Sequence, residues 1–255
     1  MDAPARQVPP DGGTRAWLVM IASFFCNGVI FGVINCYSVI YVELQNKLNE
    51  EGVAESSSKA ALVGSLTIGT TFFLSPIAGI LTDKIGIRLT TFIGGLMATG
   101  GMFLSSFCTN SVLLLYMTYG VLFGVGASLA YTPSLVILGH YFHRYMGLVN
   151  GFVTAGSSVF TMIMPYLIDF LLKQFGLNVC LRVLALFMCL IMGSALLFKP
   201  IPLSGAGAEK KEFKALINTD IWHLKKYVIW ALAIPVALFG YFVPYVHMVK
   251  FVADK

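Results

Sequence analysis

Few residues in this chain have the type and spacing to do chemistry, and those few would bind or latch rather than react. The run Gly79-Ile80-Leu81-Thr82-Asp83-Lys84-Ile85-Gly86-Ile87-Arg88 sets a carboxylate between two glycines, with Lys84 beside it and Arg88 one short turn further on. Glycines make a tight turn, and Asp83 can then sit at a helix N-terminus or pair with Arg88. Contacts of that kind latch one conformation and release in another. Asn27, Asn35 and Tyr131 are polar groups inside apolar stretches. They can face a cavity, or bond a neighbouring helix, which is the commoner case. A further aromatic run, Tyr241 through His247, ends in a histidine near a helix end, where water reaches it. No Ser-His, paired-Asp or H-E-x-x-H arrangement is present, so the chain is not expected to be an enzyme.

The elements that must position these residues follow from where charge is missing. Of 255 residues, 57% are hydrophobic and only 11% charged, under half the ~25% of a typical soluble domain. A cytosolic enzyme, a disordered chain and a disulfide-stapled secreted domain are excluded, and the bilayer remains as solvent. Residues 16–42, 60–82, 89–143, 145–168 and 227–249 contain no Asp, Glu, Lys or Arg. A helix crosses the hydrocarbon layer with about 20 apolar residues. The third stretch, 55 residues, would reach ~80 Å as one helix, so it turns back, at Cys108-Thr109-Asn110-Ser111. Residues 179–198 add a span if Arg182 snorkels from near its end. Seven helices result.

With the N-terminus inside, the inner segments hold eleven Lys and Arg residues and the outer ones six. That asymmetry predicts a cytoplasmic N-terminus and an outer C-terminus. The first 15 residues are polar, with Pro4, Pro9 and Pro10, and lack the pattern of a cleaved signal. The net charge of +5 gathers on the cytoplasmic face, so it reports topology and implies no nucleic acid. Cys26, Cys36 and Cys189 read as small apolar residues within helices, while Cys108 and Cys180 fall at outer loops, where a disulfide is one option. Gly28-x-x-x-Gly32, Gly120-x-x-x-Gly124 and Gly147-x-x-x-Gly151 each put two small residues on one face, for close packing or for sliding.

Six helices, a charged loop at 199–226 and one more helix make an uneven layout: a complete six-helix unit plus the start of a second. The expected organisation is a cytoplasmic tail at 1–15, a six-helix transmembrane half at 16–198, a cytoplasmic central loop at 199–226, and helix seven with an outer tail at 227–255. The glycine-acid-basic run resembles the loop G-x-x-x-D-[RK]-x-G-[RK]-[RK] of the major facilitator superfamily, with Ile87 in place of one basic residue. Within it, Asp11-Gly12-Gly13 ahead of Trp17, and Tyr141 through Gly151, resemble the two signatures of the monocarboxylate transporter family, though only Arg144 remains of the second one's basic cluster. Cys26-Asn27-Gly28, Phe31-Gly32, PSLVILGHYF at 133–142, AGSSVF at 155–160 and ALFGYFVPYVH at 237–247 are similar to its aromatic amino acid and thyroid hormone branch.

The resemblance implies an all-α membrane protein, the N-terminal six-helix half of a major facilitator fold plus helix seven of the second half. It implies a multi-pass protein of the plasma membrane that moves a small organic solute by alternating access. Lactate carriers of the family place a lysine where this chain has Asn35, so an uncharged path for aromatic amino acids or iodothyronines, without proton coupling, is expected. Asn35, Tyr131 and, from its counterpart in the branch, His247 are the expected substrate contacts. Gly79, Asp83, Lys84, Gly86 and Arg88 form the conformational loop. No metal or other cofactor is implied. The family has twelve helices, so the chain is read as truncated after helix seven; the alternative is a non-transporting protein that associates with a full-length transporter or an ancillary membrane protein.

Overall fold

The computed structural model describes residues 11–199 and, beyond them, Val228, Ile229, Leu232 and Ala233, all four helical. The expected central loop, most of helix seven and His247 lie outside the described residues. A first run, Thr14–Glu50, consists of α1 (Thr14–Asn35) and α2 (Tyr37–Glu50), parted at Cys36. The second pairs α3 (Ser56–Phe73) with α4 (Ser75–Ile85), bent by 46°. Pro76 causes this bend: it has no N–H for the carbonyl one turn back, and its ring crowds that carbonyl. The third is α5 (Ile87–Ser105). The fourth, Val112–Tyr141, strings α6 (Val112–Leu115), a π-helical segment (Tyr116–Phe123), α7 (Gly124–Val136) and α8 (Leu138–Tyr141).

The last helix, α9 (Met146–Leu197), is 52 residues long. Straight, it would span ~78 Å, far beyond the ~30 Å hydrocarbon layer. It breaks at Gly176, where φ 76° and ψ 177° put the backbone in a region open essentially to glycine alone. With the bent pair taken as one span and the last helix divided at Gly176, the described residues make six runs long enough to cross a membrane, five of them holding the charge-free stretches and the sixth carrying Arg182.

The crossings alternate in direction. At one end, Lys47 donates from Nζ to Thr109 Oγ1 (2.6 Å) and Asn110 Oδ1 (2.7 Å), and Thr109 Oγ1 donates to Asn178 Oδ1 (2.9 Å). At the other, Tyr141 donates its hydroxyl to the Lys199 carbonyl at 2.5 Å, and Ala16, Ile87, Tyr141, Val149 and Phe198 bury one another. The first span runs on to Glu50, because Lys47 finds partners at its end instead of ending the helix. Arg182 does not reach for water alone: its guanidinium lies 4.8 Å from the Phe107 ring and its Nε donates to Ser106 Oγ. Cys180 is buried inside the sixth span, not in an outer loop, and it and Cys108 are both free thiols, so no disulfide joins them.

The core runs between the helices, from Val29, Ile30 and Val33 of α1 to Leu184, Met188 and Ile191 of the last limb. The tightest approach is between the third and fourth spans. A Cβ on Gly126 would stand 2.3 Å from the Ala98 nitrogen, and one on Gly94 2.7 Å from the Ala130 nitrogen. The three spaced pairs behave differently from one another. Gly28 and Gly32 receive the Phe160 side chain, and Gly120 and Gly124 meet Leu66, Thr67 and Thr70. Gly147 and Gly151 have nothing within 4 Å. They lie on an open face of the fifth span, with Leu148, Met162 and Tyr166, the last 79% exposed.

Candidate solute site

Asn35 is the last residue of α1, next to the break at Cys36. Its Nδ2 donates to Thr161 Oγ1 on the fifth span at 3.1 Å, and the Cys36 thiol points to the Thr161 carbonyl at 3.8 Å. The break in the first helix is thus tied across to the fifth. One turn back along the same face, Phe31 meets the Tyr131 ring edge to face, with centroids 4.9 Å apart and planes at 86°. Phe72, at the end of α3, lies 6.1 Å from Phe31.

Two more cross-helix bonds fix these pieces. Ser75 and Thr132 share a hydroxyl–hydroxyl bond of 3.0 Å at the bend between α3 and α4. Asn27 donates from Nδ2 to Ser134 Oγ at 3.0 Å, and Ser134 donates to the Tyr131 carbonyl at 2.6 Å, beside Pro133. First, second, fourth and fifth spans therefore converge on Phe31, Asn35, Phe72, Tyr131 and Thr161, all of them half-buried and so open on one side. Irregular backbone at membrane depth is tolerated where protein satisfies it or a cavity borders it. Here hydroxyls, amides and a carbonyl from different helices pair with each other beside the aromatic rings.

Of the expected contacts, Asn35 bonds Thr161 and Tyr131 meets Phe31, which lies one turn before Asn35 on α1. Asn27 is buried and also donates to its own Ser23 carbonyl, so it is an interhelical tie and no solute ligand. Thr161, Phe31 and Phe72 complete the group. Phe31 was detectable, four residues before Asn35 and so on its face; Thr161 and Phe72 carry no sequence signal. Asp, Glu, Lys and Arg are absent from the interior of these crossings, with Glu43, Asp169 and Arg182 all towards the ends. Among the described residues, no three of His, Cys, Asp and Glu gather where a metal could sit.

The expected conformational loop is a turn of one residue. Gly86, at φ 97° and ψ 150°, alone separates α4 from α5. Asp83 and Lys84 lie in the last turn of α4, and Arg88 in the first turn of α5, all exposed. Gly79 sits on α4 towards Thr132. The pairing of Asp83 with Arg88 is not made, and Asp83 caps no helix N-terminus: among the described residues the one ion pair is Lys173 with Asp169. Exposed charges in water gain little by pairing, so the turn has no need to close on itself.

At the same end, the two signature stretches meet. Asp11 Oδ1 accepts the backbone N–H groups of His143 (2.5 Å) and Arg144 (2.8 Å), while the Asp11 N–H donates to the Tyr141 carbonyl at 3.1 Å. Trp17 packs edge-on to Phe142, 5.8 Å between centroids. The His143 N–H holds the Asp11 carboxyl below the usual carboxylate range, against a partial opposing push from burial, and the Arg144 N–H adds to the lowering.

Comparison with known proteins agrees with this architecture. The family described as Major Facilitator Superfamily matches residues 16–254. Monocarboxylate transporter 10 of Danio rerio is 46% identical over 99% of this chain and 51% of its own length. The protein of that name from Homo sapiens is 43% identical over 95% of this chain and 50% of its own length. Monocarboxylate transporter 4 of Gallus gallus is 32% identical over 99% and 53%. The chain spans about half the length of these relatives. Members of the family are transporters and not enzymes, and with six alternating crossings, the glycine-hinged loop and this breadth of similarity, the chain belongs to the major facilitator superfamily, close to its monocarboxylate transporters.

Proposed function

We propose that this chain supplies one half of the path by which an aromatic amino acid or an iodothyronine crosses the plasma membrane by facilitated diffusion, with its N-terminus in the cytoplasm. One observation carries the reading: an aromatic group, Phe31, Tyr131 and Phe72, stands one turn from the Asn35–Thr161 amide–hydroxyl pair, with no charged side chain among them. Aromatic rings stack or meet edge to face with a flat solute, and the amide and hydroxyl select its polar groups. A carrier for small anions such as lactate would place a cation here, and Asn35 does not provide one. The open face of the fifth span and the exposed Phe73 of α3, 81% exposed, supply the edges on which a second half can rock, with His247 as a contact from helix seven. Asp83, in the last turn of α4, lies where the helix dipole disfavours a carboxylate. It is therefore available to latch against a second half, with Gly79, Lys84, Gly86 and Arg88 forming the turn.

The test is uptake. Co-expressed with helices eight to twelve of a relative, the chain should take up L-tyrosine, and Tyr131→Ala, Thr161→Val and His247→Ala should each weaken that uptake. Asn35→Lys should shift preference towards anions. Lactate uptake strongly driven by an inward proton gradient, or tyrosine uptake indifferent to Tyr131→Ala, would refute the reading. The chain expressed alone should insert without net transport, and should associate with a partner that supplies the second half.

A further inference from the structure

Where the third span begins and the sixth ends, Ile85, Gly86, Ile87, Arg88, Leu89, Phe92 and Leu196 line a groove of about 430 Å³. Its walls are apolar, and Leu89 and Leu196 are 49% and 56% exposed. Among the described residues, Arg88 is the single cationic one of the lining, in the first turn of α5. Asp83 and Lys84, on the neighbouring last turn of α4, offset each other in charge. The groove's long axis has a direction. Phe92 lies one turn deeper along α5 than Arg88, and Leu196 lies three residues before Lys199, so its floor is in hydrocarbon and its mouth at headgroup level.

We propose that this groove holds one anionic phospholipid, its phosphate on the Arg88 guanidinium and an acyl chain along Leu89, Phe92 and Leu196. Two features choose the occupant. An apolar trough open sideways to the bilayer fits a chain already dissolved there, and a lone cation at its mouth complements a phosphodiester with net negative charge. A zwitterionic headgroup would gain less. Because the groove hangs on the α4–α5 hinge, its lipid would touch the turn at Gly86 directly. The proposal is independent of which solute is carried.

The purified 255-residue chain in mixed micelles can be titrated with phosphatidylglycerol or phosphatidylcholine of equal chain length, and retained lipid counted by native mass spectrometry. The chain should keep one phosphatidylglycerol in preference to phosphatidylcholine by about fivefold, the worth of one basic side chain at a membrane surface. Arg88→Gln should bring that ratio to about one, and Leu196→Trp, which fills the groove, should reduce retention of both lipids, each variant keeping its helical circular dichroism. Arg15→Gln, at the same end but outside the groove, should leave the preference unchanged. Equal retention by the unaltered chain, a preference that survives Arg88→Gln, or one lost equally in Arg15→Gln would overturn the site. Glycerol 1-phosphate that displaces the lipid at equal concentration would overturn it too, since a free phosphate would then suffice.

Discussion

Gly126→Ala and Gly151→Ala are the same change in the same kind of helix, and the structure predicts opposite effects. At Gly126 the new methyl would stand 2.3 Å from the Ala98 nitrogen, 2.7 Å from the Gly94 carbonyl oxygen and 2.8 Å from the Ala98 Cα, where ordinary contact begins at 3.4 Å. All three neighbours are backbone, so no rotamer can relieve the clash. The third and fourth spans would have to part by about 1 Å, and overpacking of this kind costs typically ~1–3 kcal/mol. At Gly151 nothing lies within 4 Å, and alanine should gain up to ~1 kcal/mol of helix propensity. Thermal unfolding of the purified chain in detergent, followed by tryptophan fluorescence, reads both. Gly126→Ala should lower the midpoint by several degrees, and Gly151→Ala should hold or raise it. If both shift downward alike, or Gly126→Ala is neutral, the close approach of these two spans is wrong.

Three further outcomes follow from named contacts. Thr161→Val removes the acceptor for Asn35 and should cost about 0.6–1.5 kcal/mol of stability, with the double mutant Asn35→Ala/Thr161→Val costing less than the sum of the singles in the same melt. The Asp11 clasp depends on pH with a fixed sign: a carboxyl lowered from its ordinary 3.8 stabilises at neutral pH and loses that contribution as pH falls through its folded value. Proteolysis near the N-terminus should therefore accelerate below about pH 4, and Asp11→Asn should be more readily cut at pH 7 than the unaltered chain. Maleimide should label Cys189 and Cys108 in the folded chain in detergent, and Cys26, Cys36 and Cys180 only after unfolding, following their exposure.

How much of this was legible depends on the length scale of the signal. Five of the six crossings were, because a missing charge over 20 residues is an energetic statement any helix must obey in lipid, and the sixth was with Arg182 near its end. The turn at Cys108 through Ser111 was legible for the same reason. Close packing was not: Gly28, Gly120 and Gly147 open identical spacings, yet the first receives a phenyl ring, the second a leucine and the third open space. Spacing tells which residues share a face; only the fold tells what that face meets. Asn35 and Asn27 make the same point in the site. Both are amides on one side of α1, but Asn27 is buried against Ser134 and Asn35 stays half open against Thr161. The partner on another helix decides, and its identity lies more than 100 residues away.

The site and the irregularities of the backbone share a cause. The first helix breaks at Cys36, the second bends beside Pro76, and the fourth contains Pro133 below its π-helical segment. Each break is tied to another helix by a side chain within two residues of it: Asn35 to Thr161, Ser75 to Thr132, and Ser134 to Asn27. A regular helix in lipid satisfies its own backbone and needs no such ties. Irregular ones need partners, and partners from different helices can be found only where those helices converge. The ties therefore mark the convergence, and Phe31, Phe72 and Tyr131 are the large groups beside it, each partly exposed. On the proposed function, a solute at this point would meet rings and two matched polar groups. The hydrogen bond it would break to engage Asn35 and Thr161 is one it would replace, so a polar end that both donates and accepts would bind there at little net cost, whereas an apolar solute would gain no such bond. On the proposed function, selectivity for an amphipathic aromatic solute over a purely apolar one of equal size is expected, and uptake of tyrosine in competition with ethylbenzene measures it.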